Sequence, residues 1–148
     1  MDLVSDVLKI NSPLQYMKSD KFSLKSRFAS FRFALNGLIS LLKYEHNSRI
    51  HFLATIAAII LGFLMKIDKT EWSFLIVVIG VVFITELFNS SLESLADHID
   101  PEWNDLIRKA KDYSAAAVLI AAIVSIVVGG LIFLPKLINL IETSSLTI

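Results

Sequence analysis

The sequence predicts an all-α integral membrane protein, with an N-terminal amphipathic surface helix followed by three transmembrane helices. Composition and patterning carry that expectation. Of 148 residues, 55% are hydrophobic and only 19% are charged, and the mean hydropathy is +0.66. A chain this short leaves a large share of its surface exposed however it folds, so this much apolar surface needs lipid as its solvent. The patterning consists of three apolar runs separated by short charged segments, each able to reach the roughly 20 residues that cross a bilayer.

Residues 1–21 are polar and mixed, with Pro13 interrupting any long helix, and are expected to form a loosely ordered leader. They do not read as a cleaved signal peptide, because Asp2 and Asp6 stand where a basic region belongs and no apolar core follows. Over about 22–45, Phe28, Phe31, Leu35, Leu38 and Leu42 recur at helical spacing, interrupted by Lys25, Arg27, Arg32, Asn36 and Lys43. That is the pattern of a helix lying in a membrane interface. A first span follows over about 47–65, then a charged turn from Lys66 to Glu71. Trp72 opens the second span, about 72–96, at the depth interfacial tryptophans favour. A polar stretch from Asp97 to Asp112 holds Pro101 and the cluster Arg108, Lys109 and Lys111. The third span, about 113–135, is uncharged, and its Ser125, Gly129 and Gly130 allow close helix–helix approach in lipid. These elements make 22–136 one membrane domain and 137–148 a C-terminal tail.

Orientation follows from the basic residues. Eight Lys and Arg lie in the N-terminal portion up to Arg49, two in the 66–71 turn and three in the 97–112 loop, and one, Lys136, follows the third span. Positive segments stay cytoplasmic, which puts the surface helix and the 97–112 loop inside and the 66–71 turn and the C-terminus outside.

Glu86 is the anomaly in this scheme, because an ionisable side chain within a spanning helix is costly and normally faces protein or water and serves a function. It is not isolated. Glu86, Asn89, Glu93 and Asp97 are spaced 3, 4 and 4, which places them within an arc of about 80° on one helix face, with Ser90 at its border. Three carboxylates on one face repel one another unless a positive charge lies between them. Mg²⁺ suits such a place, since it takes one or two carboxylates and shares its other positions with phosphate oxygens and water. Glu45, predicted on the same side of the membrane, is a further candidate ligand, although an i,i+4 salt bridge to Arg49 would also account for it. Lys111, followed by Asp112, reads either as a clamp on phosphate or as a positive-inside anchor. His46, His51 and His98 lack metal-ligand spacing with one another and are expected at the surface or interface.

Several function classes are excluded. Net charge is zero, with 14 basic and 14 acidic residues, so a global electrostatic case for nucleic acid fails. The absence of cysteine removes disulfides, thiolate nucleophiles and the usual zinc sites. Neither a Walker motif nor a G-x-G-x-x-G turn is present, so any nucleotide would be held through metal, carboxylates and lysine.

The segment Glu86-Leu-Phe-Asn89-Ser-Ser-Leu-Glu93-Ser-Leu-Ala-Asp97, followed by Lys111-Asp112-Tyr-Ser-Ala-Ala-Ala-Val118, resembles the signature of the prokaryotic diacylglycerol kinase and undecaprenol kinase family. The resemblance extends over roughly Phe22 to Lys136. It implies a small homotrimeric membrane lipid kinase with active sites shared between subunits. It further implies transfer of the γ-phosphate of ATP, with Mg²⁺, to the primary hydroxyl of diacylglycerol or undecaprenol at the inner membrane. Position by position, Glu86 matches the catalytic base and Glu45 and Glu93 the carboxylates that hold Mg²⁺ on the nucleotide. Asn89 matches a polar residue beside the transferring phosphate and lipid hydroxyl, and Lys111 and Asp112 match nucleotide contacts. Asp97 belongs to the signature without an assigned role. Enterobacterial diacylglycerol kinases carry a tyrosine near Phe33, so an adenine contact there would be apolar. The stretches Glu45–His51, Glu71-Trp72 and Phe133–Lys136 resemble the undecaprenol-kinase branch, while both acceptors stay open. Two rival readings remain. The first is a small ion or proton transporter with Glu86 and Glu93 as relay sites, against which stands the run of the stripe out into the polar loop. The other is a non-catalytic assembly subunit, against which stands an intact signature.

Overall fold

The structure, a computed structural model, describes residues 24–99 and 104–145. The leader 1–21, the turn at Pro101 and the last three residues of the expected tail lie outside the described residues. Four helices follow in order: α1 (Leu24–Tyr44), α2 (His46–Leu64), α3 (Lys69–Ile99) and α4 (Asp105–Ser145). No strand occurs among the described residues. The chain divides into two units between Leu35 and Asn36, within α1. In the described part of the first, Phe28, Phe31 and Phe33 are all strongly exposed. The second holds the rest of α1 together with α2, α3 and α4.

The junctions show why the helices stop where they do. Between α1 and α2, Glu45 alone leaves the helical conformation, with φ −93° and ψ 119°. The last carbonyls of a helix have no partner within it. Here Arg49 reaches back to donate from Nε to the Leu42 carbonyl at 3.0 Å and from its terminal nitrogen to the Lys43 carbonyl at 2.5 Å. It therefore closes α1 instead of forming the i,i+4 pair with Glu45. At the end of α2, the amide of Ile67 donates to the Gly62 carbonyl and that of Lys66 to the Phe63 carbonyl, with Lys66 at φ 52°. This is a Schellman closure built on a left-handed residue. α3 begins with a capping box. Asp68 Oδ1 accepts from the amides of Thr70 and Glu71 at 2.7 and 2.9 Å, and Glu71 Oε2 accepts from the amide of Asp68 at 2.7 Å. Asn104 caps α4 through the amide of Leu106.

Among the described residues, three helices, α2, α3 and α4, are long and apolar enough to cross a membrane. Between 11% and 22% of their apolar windows is buried within the chain, so most of that surface is satisfied only by lipid or another subunit. Inside the chain α3 packs chiefly on α4, and α2 makes smaller contacts with both. A small core of Ile67, Leu75 and Ile132, flanked by Trp72 and Phe133, ties the 66–71 turn to α3 and α4. Lys136 Nζ meets Glu71 Oε2 at 3.0 Å at the same end.

Two details differ from the sequence expectation. α4 is longer than the apolar run 113–135, since it starts in the polar loop and continues past Pro135 to Ser145. A proline inside a helix forfeits one backbone hydrogen bond, which here does not end the helix. The close approach expected at Gly129 and Gly130 is found elsewhere. A Cβ added at Gly129 would meet nothing within 4 Å, and one at Gly130 only Leu134 of its own helix. At Gly62 it would lie 2.8 and 2.9 Å from the Trp72 ring. The missing side chain at Gly62 leaves room for the Trp72 ring against the end of α2.

Candidate functional site

Along α3 the buried residues Leu75, Val78, Val82 and Glu86 recur at spacings of 3, 4 and 4. Glu86 thus stands at the next core position of an otherwise apolar stripe, and Asn89 and Glu93, both half-buried, continue it. The sequence-predicted stripe is the same stripe that packs the helix.

Glu86 is 3% exposed, a burial that an unsatisfied carboxylate does not tolerate. Ser48, fully buried on α2, donates its hydroxyl to Glu86 Oε2 at 2.6 Å. The other oxygen, Oε1, makes no hydrogen bond. His51 Nε2 lies 3.3 Å from it, close enough for an ion pair but without hydrogen-bond alignment. His51 also stands on the wall of a cavity of about 480 Å³ between α2, α3 and α4, lined further by Ala54, Ala58, Val78, Val82 and Ser125.

One turn further along, Asn89 links two helices. Its Nδ2 donates to Glu93 Oε1 at 3.1 Å, while its Oδ1 accepts the Ser114 hydroxyl of α4 at 2.7 Å. Next to it, Ser90 donates to Glu45 Oε1 at 3.0 Å. Consecutive residues of α3 therefore hold Glu93 and Glu45, and bring the α1–α2 junction, α3 and α4 together.

The outer residues are arranged differently. Lys111 Nζ donates to Asp97 Oδ1 at 2.8 Å, an ion pair between two substantially exposed side chains. Asp112 Oδ2 accepts from Arg108 at 3.2 Å along its own helix. Asp97 and Lys111 are thus brought together across α3 and α4, whereas Asp112 meets no other residue of the stripe.

The donor set fits one kind of metal use. Among the described residues, no group of three or more His, Asp or Glu side chains is placed to hold an ion, which leaves no all-protein cage. Glu45 and Glu93 supply hard carboxylate oxygens of the type Mg²⁺ uses when phosphate provides its other ligands.

Ser48 and His51, which meet Glu86, and Ser114, which meets Asn89, are contacts of the candidate site that sequence reasoning missed. His46 and His98 are exposed as expected, but His51 is half-buried and faces Glu86. A faint signal was available, since Ser48, His51 and Thr55 fall at spacings of 3 and 4 and so share one helix face.

Comparison with known proteins identifies the family. Residues 32–133 match the family model described as prokaryotic diacylglycerol kinase. The undecaprenol kinase of Bacillus subtilis is 37% identical over 120 residues, covering 81% of this chain and 98% of that protein. The diacylglycerol kinase of Synechocystis is 36% identical over 112 residues, covering 75% of this chain and 64% of that protein. That of Haemophilus influenzae is 36% identical over 105 residues, covering 70% and 89%. These relatives set aside the transporter reading. With three helices able to span a bilayer and a family model matched over most of its length, the chain belongs to the prokaryotic diacylglycerol kinase family and is a membrane lipid kinase.

Proposed function

We propose that the chain transfers the γ-phosphate of Mg-ATP to the primary hydroxyl of a membrane lipid alcohol. The reaction takes place at the cytoplasmic face of the bacterial inner membrane, in a homotrimer whose sites are shared between subunits. One observation carries the reading: a carboxylate 3% exposed in a spanning helix, with one oxygen engaged by Ser48 and the other without a hydrogen bond. A general base needs a lone pair free to take the proton, at a place the hydroxyl can reach. A base at that depth serves an acceptor carried in the leaflet.

Phosphoryl transfer depends on positioning and charge neutralisation more than on covalent help. Glu86 takes the hydroxyl proton. Glu45 and Glu93 hold Mg²⁺, which when bound neutralises the phosphates. Asn89, braced between Glu93 and Ser114, orients a polar group beside the transferring phosphate. Lys111 and Asp112 contact the nucleotide. To do so Lys111 leaves Asp97, and because both side chains are substantially exposed, solvent screens the pair and that exchange costs little.

Both diacylglycerol and undecaprenol present a primary hydroxyl on an apolar tail. The alignment at 37% identity along 98% of the B. subtilis undecaprenol kinase, beside 36% along 89% of the H. influenzae diacylglycerol kinase, gives undecaprenol a narrow preference. The test is transfer of radiolabelled phosphate from Mg-ATP by purified protein, offered the two lipids in parallel vesicles. Labelled undecaprenyl phosphate in clear excess over phosphatidic acid is the expected product. Equal labelling removes the preference, and labelling of neither lipid removes the lipid-alcohol reading.

A further inference from the structure

Resting on the assignment of Glu86 as the base, we propose that His51 is a positioning residue that takes the substrate proton onward from Glu86, while Ser48 fixes which carboxylate oxygen receives it. Each phosphate moved from ATP to an alcohol frees one proton, and the base must lose that proton before the next turnover. Glu86 is 3% exposed, so water does not collect the proton from it directly.

Among the described residues, two polar side chains approach the carboxylate. Ser48 already donates its hydroxyl proton to Oε2 at 2.6 Å and is itself 0% exposed, which makes it an anchor and a dead end. His51 Nε2 stands 3.3 Å from Oε1, the oxygen that makes no hydrogen bond, and 23% of the His51 side chain is accessible. It is the one ionisable group within ion-pair distance of Glu86 among the described residues. Its other neighbours along the α2–α4 cavity, such as Ala54, Val82 and Ser125, are uncharged.

The proton balance is simple. The lipid O–H bond breaks as the alkoxide oxygen bonds to phosphorus, and its proton moves to Glu86 Oε1. From Oε1 it passes to the lone pair on Nε2 of neutral His51, which restores the carboxylate and forms an imidazolium. The imidazolium then releases a proton to water from its accessible edge. Histidine suits this task because a neutral imidazole has one nitrogen that accepts a proton and a second that can donate one.

Steady-state kinetics of full-length His51→Gln and His51→Ala in lipid vesicles test the assignment. The expected result is a kcat at least about tenfold lower, since positioned proton transfer contributes at least that much. KM for ATP and for lipid should stay within about twofold, and added imidazole should restore turnover to His51→Ala in a dose-dependent way. A kcat within about twofold of the parent overturns the proposal. So does a fallen kcat in His51→Ala that imidazole leaves unchanged while thermal unfolding and KM match the parent. Should His51→Ala fail to assemble, His51→Gln decides by its split between kcat and KM. Glu86→Gln separates this question from the one beneath it. An inactive Glu86→Gln beside fully active His51 variants removes the relay and keeps the base, whereas an active Glu86→Gln removes both.

Discussion

The two ends of the α3 stripe carry the same chemical groups into different surroundings. At the inner end, Glu86 occupies a core position, bonded by a fully buried serine and approached by a histidine. At the outer end, Asp97 is 70% exposed and pairs with a lysine that is itself 37% exposed. In solvent, an ion pair exchanges partners at little cost and is screened. In the apolar interior, each carboxylate oxygen requires an explicit partner. Three turns of one helix thus hold a desolvated carboxylate and a solvated one. The first suits proton abstraction and the second suits contact with a ligand that comes and goes.

This contrast can be broken at four points. Glu86→Gln keeps the size of the side chain and removes the base; turnover should fall by about a hundredfold or more, with the oligomer on size exclusion unchanged. A variant that turns over normally would assign proton abstraction to another group. Ser48→Ala leaves Glu86 Oε2 buried without its donor and should destabilise the fold by about 1.5–3 kcal/mol, the worth of a hydrogen bond to a charged group, measured by denaturant unfolding in detergent. Glu93→Gln should raise the Mg²⁺ concentration for half-maximal activity about tenfold or more, the range that supporting groups of metal sites command. An unchanged Mg²⁺ titration would count against its role as a ligand. Asp97→Asn breaks the solvent-screened Lys111 pair and should leave the midpoint in the same unfolding assay close to that of the parent. A loss equal to that of Ser48→Ala would erase the difference between the two ends.

Much of this architecture was legible before any coordinates. The charged break at 66–71 and the tryptophan after it marked a second span over about 72–96, which lies within the longer helix α3 (Lys69–Ile99), and the 3-4-4 spacing from Glu86 to Asp97 put those side chains on one face. Other features were not legible, because they depend on meetings across helices. Arg49 looked like a partner for Glu45 at i+4, but the open carbonyls at the end of α1 claimed its guanidinium. His51 looked peripheral because nothing in its own helix pairs with it. The third span was expected to end near Pro135, yet the helix continues through ten further residues to Ser145.

By itself, the sequence determined that this chain lives in a bilayer, where its helices lie and which face of α3 bears the carboxylates. Those properties follow from composition and from the 3.6-residue period, both local to the chain. Tertiary structure decided which carboxylate is desolvated, which of its two oxygens is held and what stands beside the other. That decision needed α2 to set Ser48 and His51 at the depth of Glu86, a matter of how two helices thirty-odd residues apart in sequence pack against each other. The opposite treatment of Glu86 and Asp97, identical in charge and on one face, is therefore a property of packing and not of the stripe.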